Sequence, residues 1–137
     1  MIKILVVEDQ AMVLGALSAL IDLEPDMSVL GTATNGLEAL QLCESEDIDV
    51  VISDIEMPEM TGLELAQALY KNQHPAKVII LTTFSRGGYV RRALDASVSA
   101  YLLKDAPASD LAKCIRLVLS GETFIAPELM RDAWRSG

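Results

Sequence analysis

One histidine and two cysteines are all that this 137-residue chain offers to imidazole chemistry or to soft metals. His74, set just before Pro75, leaves no material for a His-based catalytic triad or a zinc site. Cys43 and Cys114 both fall inside helical patterns and read as small core residues in a reducing compartment, not as a disulfide. Positive charge is also scarce, since 11 Lys and Arg stand against 20 Asp and Glu, a net charge of −9. Contacts to nucleic-acid phosphates need a basic face, so this segment is not expected to bind nucleic acid directly. No apolar stretch approaches the roughly 18 residues of a membrane span. The N-terminus carries no basic segment, apolar signal core or cleavage site, and the expectation is a cytoplasmic protein that does not engage a membrane. A glycine-rich phosphate loop after the first strand is missing too. Glu8-Asp9 stands there instead and would repel a phosphate, which disfavours a flavin or nucleotide binder.

What is present is apolar and regularly alternating. Hydrophobic residues make up 51% of the chain, enough for one domain with a full core. Strand-like runs at 2–8, 27–33, 49–54, 77–83 and 100–104 alternate with helical patterns at about 10–23, 36–45, 62–72, 86–96 and 108–120. Asn35 can cap the second helix and Glu38 can close a capping box there. Five βα repeats with continuous apolar strands predict an α/β fold, a doubly wound parallel five-stranded sheet with right-handed crossovers. Residues 1–120 read as one domain, and 121–137 as a linker towards an output domain absent from this chain.

The carboxylates carry the chemistry. Val50-Val51-Ile52-Ser53 runs directly into Asp54, and Ile2-Lys3-Ile4-Leu5-Val6-Val7 runs into Glu8-Asp9. Strand C-termini of an open α/β sheet form the rim at which ligands bind, so three acids are brought towards one spot. Mg²⁺ takes one or two carboxylates and keeps several waters. Asp9 and Asp54 suit direct ligation, Glu8 ligation through a water, and the backbone carbonyl of Glu56 a further contact where the chain turns before Pro58. Acids also gather at helix starts for the dipole alone, but three at the ends of two core strands favour the metal site. Thr82 and Lys104 end the fourth and fifth strands. A ring of acids, hydroxyl and ammonium suits a phosphoryl group, whose oxygens the two cations neutralise.

With these residues in place, the chain resembles the receiver domain of a two-component response regulator over residues 2–120. The motifs are Glu8-Asp9, Asp54-x-x-x-Pro58-x-x-x-Gly62, Thr82 and Tyr101-x-x-Lys104. The resemblance implies the flavodoxin-like (β/α)5 fold, with Asp54 as phosphoacceptor and Glu8 and Asp9 holding Mg²⁺. It further implies Thr82 and Tyr101 as a switch pair, Lys104 on the phosphoryl group, and a histidine kinase as phosphodonor. The tail Gly121-Glu122-Thr123-Phe124-Ile125-Ala126-Pro127 is similar to receivers that precede a LuxR-type helix-turn-helix, which would supply DNA contact in a longer protein. Two positions depart from the family pattern: Asp105 follows Lys104 where many receivers have Pro, and Ala96-Ser97 replaces an Ala-Gly pair.

Such a protein is a regulator and not an enzyme in the ordinary sense, limited to self-catalysed phosphorylation and dephosphorylation. A stand-alone or pseudo-receiver interaction module is the main alternative. A Mg²⁺-dependent aspartyl-phosphate phosphatase is disfavoured, because Asp54-Ile55-Glu56 lacks the second Asp of an Asp-x-Asp acid pair. Glu56 and Phe84 each lie two residues beyond a site residue and are expected to tune dephosphorylation. The helix at 10–23 carries apolar residues over far more than one buried stripe, as does the helix at 108–120. Leu14 and Leu117 are therefore expected at the interface of a phosphorylation-promoted homodimer.

Overall fold

Ile4–Val7, Val50–Ser53 and Val78–Leu81 are buried along their whole lengths, which only internal strands covered on both faces can satisfy. The structure, a computed structural model, describes residues 1–55, 57, 59–82, 98–104 and 106–127. Its strands are β1 (Ile2–Val7), β2 (Met27–Ala33), β3 (Val50–Asp54), β4 (Lys77–Thr82), β5 (Ala100–Leu103) and β6 (Phe124–Ile125). They form one parallel sheet in the order β2-β1-β3-β4-β5-β6. Four helices are described: α1 (Ala11–Asp22), α2 (Gly36–Ser45), α3 (Gly62–Lys71) and α4 (Ala108–Leu119). α1 packs with α4 and α2 with α3, so both sheet faces are covered. The doubly wound sheet expected from the alternation is present, in the flavodoxin-like form that the resemblance implied. The predicted helix at 86–96 lies outside the described residues, as do Glu56, Pro58, Phe84, Ala96-Ser97, Asp105 and the segment 128–137.

Predicted and observed element ends differ by one or two residues, but the sheet gains a strand. Phe124 and Ile125 pair in parallel with Ala100 and Tyr101, and the Ala126 N–H donates to the Tyr101 carbonyl at 3.0 Å. The sheet therefore reaches past residue 120 into the stretch read as linker. Two residues between a Gly121 turn (φ 97°) and Pro127 are too few to show a period.

Local signals explain the helix starts. α3 opens with a full capping box, in which Thr61 Oγ1 accepts the Glu64 N–H at 3.1 Å and Glu64 Oε1 accepts the Thr61 N–H at 3.0 Å. At α2, Asn35 Oδ1 accepts the Glu38 N–H at 2.8 Å, a cap of about 1 kcal/mol. The expected reciprocal bond is not made; the Glu38 carboxylate instead accepts the Thr34 hydroxyl at 3.4 Å. Cys43 and Cys114 are free and buried, and burial pushes both thiols up to about 11. His74 Nδ1 accepts the Ala76 N–H, which leaves Nε2 to donate to the Cys43 carbonyl at 2.9 Å. The ring thus staples the end of α2 to the α3–β4 connection. No helix among the described residues is long and apolar enough to cross a membrane.

Candidate functional site

The strand order reverses at β1, whose chain leads first to β2 on one side and then to β3 on the other. Doubly wound sheets bind ligands at this crevice, beyond the strand C-termini. Register sets which side chains meet there. Val7 pairs with Ser53, Asp54 with Leu81, and Thr82 with Leu103, so the ends of β1, β3, β4 and β5 stand along one rim. Glu8 and Asp9 follow β1, Asp54 closes β3, Thr82 closes β4, and Lys104 follows β5.

The structure brings all three acids together. One oxygen from each of Glu8, Asp9 and Asp54 lies within 4.8 Å of the others. Glu8 is fully buried, Asp54 is half-buried and Asp9 faces solvent. Lys104 reaches into the cluster, its Nζ 2.7 Å from Glu8 Oε2 and 3.2 Å from Asp54 Oδ2. The Lys104 ammonium is thus shared between the Glu8 and Asp54 carboxylates. Glu8 Oε1 accepts the Gln10 N–H at 3.2 Å, and Asp54 Oδ1 accepts the Ile55 N–H at 2.8 Å.

Electrostatics follow from that packing. Burial raises the Glu8 carboxyl above its ordinary range; the Lys104 contact opposes this and the Asp54 charge adds to it. Burial likewise raises Asp54, against the pull of Lys104. For Lys104 burial acts downward, but the Glu8 and Asp54 carboxylates outweigh it and the ammonium is held above its ordinary value. A second cation would relieve the remaining acid–acid repulsion. Hard oxygen donors converging from three side chains, with an exposed Asp9 at the mouth, fit Mg²⁺.

Thr82 and Tyr101 are both buried, Tyr101 completely. The expected Glu56 carbonyl and Phe84 lie outside the described residues. Leu14 packs half-buried against the core, whereas Leu117 is 37% exposed. Ser53 was missed from sequence, and Gly62, named there only in the motif after Asp54, has a further part. Ser53 is fully buried and donates from Oγ to the Asp54 carbonyl at 2.8 Å, bracing the turn after the acid. Gly62 admits the same carbonyl so closely that a Cβ there would run into it. The lone hydroxyl in an otherwise apolar strand was the available signal for Ser53.

Residues 4–116 match the response regulator receiver domain family. The chain is 50% identical over 134 residues to the transcriptional regulatory protein DesR of Bacillus subtilis (strain 168), covering 98% of this chain and 66% of DesR. It is also 50% identical over 136 residues to the transcriptional regulatory protein YvfU of the same strain, covering 96% of this chain and 68% of that protein. The chain thus spans about two thirds of the length of these two relatives. Among solved structures, a DNA-binding response regulator of the LuxR family from Staphylococcus aureus superposes with a TM-score of 0.84 at 41% identity. That match covers 87% of this chain and 99% of the other.

Proposed function

The chain belongs to the response regulator receiver domain family, a class of phosphorylation-activated signalling switches partnered by histidine kinases, and on that premise we propose that Asp54 is its phosphoacceptor. The observation that carries the reading is Asp54 at the end of β3, with Lys104 at 3.2 Å and two further acids within 4.8 Å. Asp54 Oδ1 is engaged by the Ile55 N–H, so Oδ2, once Lys104 releases it, is the oxygen that attacks phosphorus. Attack on a kinase phosphohistidine forms the acyl phosphate O–P bond and breaks the P–N bond, and the imidazole leaves and takes a proton. Lys104 then turns from the carboxylates to the phosphoryl oxygens. Glu8, Asp9, Asp54 and the Glu56 backbone carbonyl would hold Mg²⁺. When bound, the ion supplies charge neutralisation for the transferring group.

Output follows from a population shift. A phosphoryl group at Asp54 draws the Thr82 hydroxyl towards it and leaves room for Tyr101. The complete burial of Tyr101 supports this reading. Phosphorylation then favours a homodimer through α1 and α4. Only Ile21 of α1 is fully buried, while Met12 is 89%, Leu20 45% and the adjoining Leu23 77% exposed, with Ala11, Ala16 and Ala19 also at the surface. Leu20 and Leu23 border a groove of about 290 Å³ shared with Ala112 and Arg116 of α4. Apolar surface of this kind beside a helix pair suits a two-fold partner. In the longer regulator, working in the cytoplasm, a helix-turn-helix domain would carry the DNA contact. Incubation with Mg²⁺ and phosphoramidate should load one phosphate per chain on the native protein and none on Asp54→Asn. Loading of the variant would sink the assignment.

A further inference from the structure

Gly36, the first residue of α2, has no space for a side chain. A Cβ there would stand 2.7 Å from Met60 Cβ, Met60 Cγ and the Met60 backbone carbonyl, closer than real Cβ atoms come to anything. The backbone itself makes no demand, because Gly36 does not adopt the left-handed conformation. The requirement is for room. Met60 belongs to the segment joining β3 to α3, between Asp54 and the cap residue Thr61. Two of the obstructing atoms are a carbonyl and the stem of a side chain, so relief requires the segment to move rather than one flexible tip to swing.

The segment has little slack with which to absorb such a push. On its far side Thr61 is fixed by the capping box with Glu64, and the Gly62 N–H donates to the Ile55 carbonyl at 2.9 Å. Glu59 already sits at φ 71°, a conformation that costs a non-glycine residue. Displacement of Met60 therefore pulls on Thr61 and on Gly62, whose N–H holds the Ile55 carbonyl. The Ile55 N–H is the donor that fixes Asp54 Oδ1, and the Asp54 carbonyl is pinned by Ser53 Oγ. A chain of named contacts thus runs from the start of α2 to the reacting carboxylate.

We infer that Gly36 is a positioning residue for the phosphoacceptor centre: its missing side chain lets α2 seat against Met60 and holds the β3–α3 segment in the register that orients Asp54. The inference rests on the assignment of Asp54 made above. It separates cleanly from a role in helix stability. Glycine is a poor helix residue beside alanine, so if only α2 mattered, Gly36→Ala would leave the site intact and stabilise the chain.

The test compares the native 137-residue chain, Gly36→Ala, the double variant Gly36→Ala/Met60→Gly, and Gly31→Ala. Gly31 serves as control, because its Cβ would make ordinary 3.7 Å contacts with Leu5 and Leu42. Amide spectra in a Mg²⁺ titration, the rate of phosphorylation by phosphoramidate, and urea unfolding are recorded for each. Misplacement of a reacting group by about 1 Å costs on the order of 100-fold in rate. Gly36→Ala should therefore lose at least about tenfold in rate, shift the Ile55 and Met57 amides before any metal is added, and bind Mg²⁺ more weakly. The double variant, relieved of the two side-chain contacts but not of the carbonyl, should recover part of the rate, and Gly31→Ala should match the native chain. If Gly36→Ala is too unstable to assay, the double variant must regain the fold and part of the rate. Native-rate phosphorylation of Gly36→Ala, or a loss that Met60→Gly does not relieve, overturns the inference. A native chain that takes up no phosphate instead overturns the assignment of Asp54 and leaves the steric result, read from the metal-free spectra, standing.

Discussion

Lys104→Ala should leave the Glu8 and Asp54 carboxylates packed together without their ammonium partner. The ammonium contacts two carboxylates at 2.7 and 3.2 Å, and its side chain is 15% exposed against 1% for Glu8 and 13% for Asp54. Breaking a buried pair by removing one partner costs about 3–5 kcal/mol. Here Glu8 can take up a proton and Asp54 stays partly hydrated, so a loss of about 2–3 kcal/mol at neutral pH is expected. Mg²⁺ should reverse much of it. Saturation at 100 times its dissociation constant returns about 2.7 kcal/mol to any chain that binds it only when folded. The gain should be larger in the variant, because the native chain must release the Lys104 contact as the ion enters. Urea unfolding followed by circular dichroism, with and without Mg²⁺ at pH 7, measures both quantities. Equal metal-free stability of the two proteins, or a smaller Mg²⁺ gain in Lys104→Ala, would refute this reading of the pocket.

Glu8 and Asp54 bind protons more tightly in the folded chain than in the unfolded one, since both are raised above ordinary values of 4.5 and 3.8. Their contribution to stability is present below those values and is lost as pH rises through the folded ones, so metal-free stability should fall as pH rises above the ordinary carboxylate range and Mg²⁺ should flatten the slope. Met12→Asp and Leu117→Asp should each weaken a phosphorylation-dependent dimer in sedimentation velocity without changing phosphate loading; Leu14→Asp is a poorer probe, because Leu14 packs on the core. Glu56→Ala and Phe84→Ala should alter the acyl-phosphate lifetime and leave the loading rate alone; unchanged lifetimes would remove both residues from the hydrolysis step.

The fold was legible because its determinants are local. Runs such as Ile4–Val7 and Val50–Ile52 can satisfy their burial only inside a covered parallel sheet, and the acids that follow them name the rim. The site residues could be read for the same reason, since strand order carries Glu8, Asp54, Thr82 and Lys104 to one edge whatever the loops do. What escaped depends on distance across the fold. The Lys104–Glu8 pair joins the two ends of the domain, and the contact of Gly36 with Met60 joins two loops that sequence spacing does not relate. β6 was missed because two residues carry no period. The capping box at Thr61 and Glu64 was legible as Thr-x-x-Glu and was overlooked beside Asn35-Gly36, which forms only half of one.

Chemical mapping of the phosphorylated residue tests the central claim most directly. Phosphorylated protein is treated with borohydride, which reduces an aspartyl phosphate to homoserine, and the digested chain is sequenced by tandem mass spectrometry. Homoserine should be found at position 54 and nowhere else. Homoserine at Asp9 or any other acid, or a stably loaded protein with none at 54, would contradict the assignment of Asp54 as the phosphoacceptor.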